Sequence, residues 1–277
     1  MSDRPQLGPD IVGQELAETT YSYDDRDVML YALGIGSTDL EFVFERNLKV
    51  IPTFAVIPAF PALTGIAGAV EINPVMILHG EQAIELHQPI PVKATLKTRG
   101  TVTGVYDKGK GALITIEAKT KTDGGDVLFT NTFGVFVRGA GGFGGERGPQ
   151  AANQAPDRAP DKTVDMVTAE NQAMIYRLSG DRNPLHVDPA FASMAGYDRP
   201  ILHGLCSFGH VGRAVLSAYC DNDPTRLSTL SARFSGVVYP GDTITTEMWD
   251  EGSGKIVFQA KTQEDRAVIS NAAAQVS

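Results

Sequence analysis

Three short segments recur in the same order in the two halves of this chain, and a duplication of that kind restricts the fold to one built from two similar units. DVMLYALGIG at Asp27 to Gly36 aligns with QAMIYRLSGD at Gln172 to Asp181, setting Tyr31 against Tyr176 and Leu33 against Leu178. ILHG occurs at Ile77 to Gly80 and again at Ile201 to Gly204. ITIEAKT at Ile114 to Thr120 matches VFQAKT at Val257 to Thr262. Between the copies, GAGGFGGERGPQAANQAPDRAP has no apolar period and is rich in glycine, alanine and proline, so it reads as a linker. The expected organisation is a first unit at 1-138, a linker at 139-160 and a second unit at 161-277. With 277 residues, both units have ample length for a core. The G-x-G-x-x-G spelled by Gly139 to Gly144 has no helix after it, so it does not read as a dinucleotide fingerprint.

The rest of the chain is rich in β-branched residues. Val92 to Thr103, Ala112 to Thr122, Val127 to Arg138, Thr229 to Val238, Thr243 to Trp249, Lys255 to Thr262 and Arg266 to Val276 are expected as antiparallel strands, because Gly, Asp and Lys turns separate them. LCSFGHVGRAVLSAYC, which places Leu205, Phe208, Val211 and Val215 at spacings of three and four, is expected as a helix of about four turns. Taking ILHG as a guide puts the matching N-terminal helix at Glu81 to Pro91, where Pro89 stops it after at most two turns. The expected class is α+β: two antiparallel sheets, each wrapped around a central helix, with the N-terminal helix shortened and a void left for a chain of methylenes.

Charge and cysteine content narrow the partners. A net charge of -9 argues against wrapping nucleic acid, whose binders carry a basic face. Cys206 and Cys220 are too few for a disulfide framework and are expected as inert thiols. The N-terminus lacks a signal-peptide pattern, and the oily stretch Phe54 to Val70 is broken by Pro58, Pro61 and two glycines, so a cytoplasmic protein without a membrane partner is expected.

The chemistry concentrates in YRLSGDRNPLHVDPAFASMAGYDRPILHGLCSFG, from Tyr176 to Gly209. Pro184 has no amide hydrogen and drives Asn183 out of the α region, so the chain turns there. Asp181 and His186, five residues apart across the turn, can then converge on one small molecule. Asn183 adds a donor and an acceptor that would fix a water or its neighbour. Gly204, at the start of a helix, offers an unpaired N–H with the positive end of the helix dipole behind it. The first unit, with Gly36 opposite Asp181 and Glu41 opposite His186, has lost both groups. No clustered His spacing supports a metal.

GDRNPLHVDPAFASMAGYDRPILHGLCSFG resembles the hydratase motif of the MaoC-like, (R)-specific enoyl-CoA hydratases, a family of hot-dog folds. DVMLYALGIG, IPTFAVIP, ILHGEQAIEL and RFSGVVYPGDT extend the resemblance to the two-hot-dog hydratase 2 group. It implies reversible addition of water to a trans-2-enoyl-CoA to give a (3R)-3-hydroxyacyl-CoA, with coenzyme A as part of the substrate and no further cofactor. It implies Asp181, His186, Asn183 and Gly204 as catalytic residues and His79, Gly80, Lys108 and Phe234 as substrate contacts, with Lys108 on a coenzyme A phosphate; Lys110, in the same glycine turn, is a second candidate cation. A monomer and a homodimer both fit two joined hot-dogs. The alternatives are a 3-hydroxyacyl-thioester dehydratase of biosynthesis on the same site, a thioesterase, and an inactive acyl-CoA scaffold.

Overall fold

A computed structural model describes residues 4–73, 76–150 and 152–277. In chain order the first half forms β1 (Thr19–Tyr23), α1 (Asp25–Gly34), α2 (Leu40–Val43), α3 (Val56–Ala69), β2 (Ile77–Leu86), β3 (Ala94–Asp107), β4 (Gly111–Lys121) and β5 (Val127–Arg138). The second half repeats the plan with β6 (Lys162–Val167), α4 (Gln172–Tyr176), α5 (Pro189–Met194), α6 (Gly204–Tyr219), β7 (Leu227–Phe234), β8 (Thr243–Asp250), β9 (Lys255–Thr262) and β10 (Ala267–Val276).

All ten strands join one antiparallel sheet in the order β1-β3-β4-β5-β2-β7-β10-β9-β8-β6, which reads the same way outward from its centre in both halves. That symmetry pairs β4 with β9 and α1 with α4, as two of the three repeated segments require. The third repeat does not hold in space. Ile77 to Gly80 opens the strand β2, whereas Ile201 to Gly204 runs into the helix α6.

The N-terminal helix is therefore not at Glu81 to Pro91, and it is not cut to two turns. Those residues extend because Gln82 and Ile84 alternate inward with Glu81 and Glu85 outward, a period of two that pairs with β5 and β7. The central helix of the first half is α3, 14 residues against 16 for α6. Its prolines hid it. Pro58 sits in the first turn, where a missing N–H costs no intrahelical bond, and Pro61 is carried inside. Thr98 Oγ1 donates to the Pro58 carbonyl at 3.3 Å and anchors the helix to β3. The continuous helical run Pro52–Ala69 is long and apolar enough to cross a membrane by length and composition alone, but most of it is buried in the protein.

Each helix fills the concave side of its half of the sheet. Ala59, Ala62, Leu63 and Ile66 of α3 pack with Ile114, Ile116, Phe133 and Val135. Leu205, Phe208, Val211 and Val215 of α6 pack with Leu230, Ile244, Met248 and Phe258. Burial of one such side chain contributes roughly 1.5–3 kcal/mol, so these two clusters dominate the driving force.

The glycine-rich stretch after β5 is irregular but fixed. The Asp107 carboxylate, buried at the end of β3, accepts backbone N–H bonds from Gly109, Gly142 and Gly144 at 2.7–2.9 Å. A side chain at Gly141 would meet the Gly109 and Gly111 backbone at 2.5–2.7 Å, so glycine composition here reflects close approach. Lys108 Nζ donates to the Arg147 carbonyl and closes the strap over the β3–β4 hairpin. We expect Asp107→Ala to free this strap. Tryptic cleavage after Arg147 should accelerate while the far-UV circular dichroism stays unchanged, and an unchanged cleavage rate would contradict the clamp.

Candidate active site

Local backbone chemistry builds the turn that carries Asp181 and His186. After α4 a 3-10 turn over Arg177–Ser179 ends at Gly180, whose φ of 142° suits glycine alone. Asp181 Oδ1 then accepts the Asn183 N–H at 3.1 Å, and Asn183 Oδ1 accepts the Leu185 N–H at 3.0 Å. Two successive side-chain caps thus roll the chain into the 3-10 turn Pro184–His186. Asn183 is exposed and spends its carbonyl on this turn. Its Oδ1 shapes the loop, and its amide nitrogen stays available for the water contact expected from the sequence. Asp188 caps α5 through the Ala190 and Phe191 N–H groups.

The turn sets Asp181 Oδ2 3.9 Å from His186 Nε2. His186 Nδ1 donates to the Ile201 carbonyl at 2.8 Å, which fixes the tautomer and leaves a lone pair on Nε2. Two acceptors therefore face each other across a gap too long for a direct hydrogen bond. Burial holds the His186 imidazole below its ordinary range, against the opposing pull of Ile201 and the Asp181 charge. It is neutral at pH 7.

His203 stacks on His186 with ring centroids 3.6 Å apart and planes 26° apart. Its Nε2 donates to the Asp181 carbonyl at 3.1 Å, and Tyr176 lies 4.9 Å away. Asp181, His186 and His203 offer ligand atoms within 4.8 Å of one another. Stacked imidazoles aim their in-plane lone pairs side by side, so one ring must turn before both reach an ion at about 2.0–2.1 Å.

His203 is also the residue before α6, and Gly204 opens that helix with its first N–H exposed. A Cβ on Gly204 would lie 3.4 Å from Phe234 Cδ1. Phe234 in turn meets His79 edge to face at 5.1 Å, and His79 meets Phe133 at 5.7 Å. His79 Nε2 donates to the Glu81 carbonyl at 3.0 Å, and Gly80 sits in the bulge where the β2–β5 register shifts. The two halves thus contribute to one cluster. Lys108 is apart from it, on the hairpin tip at the same end of the sheet. By strand spacing it lies about 14 Å from β2, the length of a cofactor-sized handle rather than of a reacting bond.

The counterpart in the first half holds no acid and imidazole pair. Gly36 lies over His210 and Arg213, and Glu41 is paired with Lys49 at 2.6 Å. Cys206 and Cys220 are free and buried, with the Cys206 thiol pushed far up by burial. A broad groove on the outer face of β3 and β4 is lined by charges already paired, among them Arg99 with Glu15 and Glu18 and Lys97 with Asp123. It opens at the far end of that hairpin from Lys108.

Residues 21–139 match the MFE-2 hydratase 2 N-terminal domain and residues 151–272 the MaoC like domain. A Dictyostelium discoideum protein named probable enoyl-CoA hydratase 2 is 43% identical over 94% of this chain and 92% of its own length. The chain belongs to the MaoC-like hydratase 2 family. The 3-hydroxyacyl-thioester dehydratase Y of Mycobacterium tuberculosis is 38% identical over 97% of this chain and 98% of its own. The crystal structure of a MaoC-like dehydratase from Phytophthora capsici superposes with a TM-score of 0.88 at 35% identity, over 97% of this chain and 98% of that one. Within this family's double hot-dog fold, α3 and α6 are the two enclosed helices.

His203 stands in the sequence only as the residue before Gly204, and no local signal marks Tyr176 or the Ile201 carbonyl as part of the site. The LHG repeat marks His203, but nothing in one dimension reveals a ring stack. His203 and His210 are both 1% exposed, with burial pulling them down to about 2 and about 4. The unfolded chain binds protons that these buried rings refuse, so stability rises with pH through the ordinary histidine range. We expect the urea midpoint to fall between about pH 7.5 and pH 5, above the range where carboxylates titrate. A midpoint that rises on acidification would contradict the neutral stack.

Proposed function

We propose that the chain hydrates trans-2-enoyl-CoA reversibly to (3R)-3-hydroxyacyl-CoA, as an enoyl-CoA hydratase 2. The supporting observation is the 3.9 Å gap between Asp181 Oδ2 and a His186 Nε2 whose lone pair is fixed by Ile201. A small molecule with two donor hydrogens can bridge both acceptors at once, and water fits that description. The relatives named for enoyl-CoA hydration and hydroxyacyl-thioester dehydration agree with that chemistry.

In the proposed step the thioester oxygen accepts from the Gly204 N–H at the head of α6, where the helix dipole favours the developing enolate. Water held by Asp181 and His186 attacks the β-carbon. The C=C electron pair moves onto the carbonyl, and the water's proton passes to His186 Nε2. The imidazolium is stabilised by the Ile201 carbonyl on one side and the Asp181 carboxylate on the other. As the enolate re-forms the carbonyl, its electron pair takes a proton at the α-carbon from the His186 imidazolium, so the elements of water add across the double bond and His186 is neutral again. Phe234 and His79 flank the acyl thioester, and Lys108 takes a coenzyme A phosphate. Elimination of water from a 3-hydroxyacyl thioester uses the same groups in reverse, and activity confined to carrier-protein thioesters would favour the biosynthetic direction. The enzyme is proposed to act in the cytoplasm without a cofactor or metal, as a monomer or homodimer.

The test is loss of enone absorbance with crotonyl-, decenoyl- and hexadecenoyl-CoA, with chiral analysis of the product. Free coenzyme A instead of a hydroxyacyl product would point to a thioesterase. Asp181→Asn and His186→Gln should each lower kcat by about 10²–10⁴-fold without lowering the melting temperature. Near-normal rates in either variant would overturn the assignment. Gly204→Ala has room for its methyl group against Phe234, so it should fold normally and yet lose kcat/KM through crowding of the thioester. The kcat profile should hold level through neutrality and fall on the acid side below about pH 6.5, where a depressed His186 finally protonates.

A further inference from the structure

His203 takes part in none of these steps, yet it touches both Asp181 and His186. Its ring donates to the main-chain oxygen of Asp181 at 3.1 Å and lies flat on His186 at 3.6 Å. Tyr176 lies against it as well, at 4.9 Å. Its own carbonyl receives the Cys206 and Ser207 N–H groups, which starts α6 and aims the Gly204 N–H that follows. The ring is 1% exposed, and its Nδ1 has no partner among the described residues.

A buried acceptor without a donor lowers stability, and a phenylalanine or leucine would fill the same space without that penalty. Packing alone therefore does not account for an imidazole here. What an imidazole adds is a flat face for His186 together with an edge donor for the Asp181 main chain. The loop bearing Asp181 has an exposed glycine before it and exposed residues after it, and the caps of Asp181 and Asn183 are internal to that loop. Among the described hydrogen bonds, His203 is what ties the Asp181 backbone to the start of α6.

We propose that His203 is a positioning residue for the hydration step: it fixes the gap between the Asp181 carboxylate and the His186 ring by holding the main chain of one and the face of the other. The proposal rests on the hydratase reading for its kinetic consequence, but its structural content is measurable without turnover. Displacement of either acceptor by about 1 Å is the kind of error that costs two orders of magnitude in rate.

The experiment compares His203→Ala and His203→Gln with the wild-type chain. Glutamine places an amide N–H where Nε2 stood and so restores the donor to Asp181 without the stack. His203→Ala should lose about 100-fold in kcat with KM within about twofold, since the acyl thioester contacts are untouched. His203→Gln should recover about tenfold of that loss. Histidine ¹⁵N NMR should show His186 as a single Nδ1–H tautomer in the wild type, mixed or broadened in His203→Ala, and sharpened again in His203→Gln.

An alanine variant within about threefold of wild-type kcat and with an unchanged His186 signal would overturn the proposal. So would equal losses in both variants that merely follow a lowered melting temperature. Should the wild type fail to hydrate any enoyl-CoA, the functional reading falls, and the His186 tautomer in the two variants still decides whether His203 positions it.

Discussion

The antiparallel pairing of β2 with β7, from Glu81 opposite Arg233 to Glu85 opposite Thr229, makes one sheet out of two repeats, and the site exists only because of it. The Arg233 guanidinium donates to Glu81 Oε1 at 2.8 Å from Nε across this seam. A shift of one residue in the pairing would turn every side chain of β2 to the other face. His79 would leave Phe234, and with it the wall opposite Gly204. Asp181 and His186 belong to one half, but their surroundings are shared, so the site and the fold are secured by the same row of backbone hydrogen bonds.

The polar half of the site is arranged by short-range contacts. Asp181 and Asn183 spend side-chain oxygens on neighbouring N–H groups, and Ile201 spends a carbonyl on His186. Each bond removes a freedom that the reacting groups would otherwise have to lose on binding. The result is a preorganised pair of acceptors in a low-dielectric setting, where a fixed lone pair and a fixed charge act more strongly than in water. Burial also favours the neutral form of the His186 ring.

Much of this was readable in one dimension. The seven predicted strands match β3, β4, β5, β7, β8, β9 and β10 closely, because β-branched runs between polar turns carry a strong local signal. Asp181 and His186 were legible because Pro184 forces a turn. The helix α3 was not, since its two prolines and two glycines contradict helix propensity and only its burial under β3–β5 overrides them. The ILHG identity aligns β2 with a helix, whereas the alternation of Gln82 and Ile84 with Glu81 and Glu85 marks it as a strand. The strap after β5 looked like a free linker, since the sequence gives no sign that a carboxylate 35 residues upstream gathers its N–H groups.

The mirrored strand order has an outcome for the second half on its own. Severed from the first, β7 would lose its neighbour and expose a bare ladder edge in the middle of what had been a closed span. A like strand from another copy is its natural mate, and the twofold assembly so formed would carry the Asp181 and His186 pair twice. The tandem chain holds that pair in one half, while its other half supplies His79 to the wall beside Phe234.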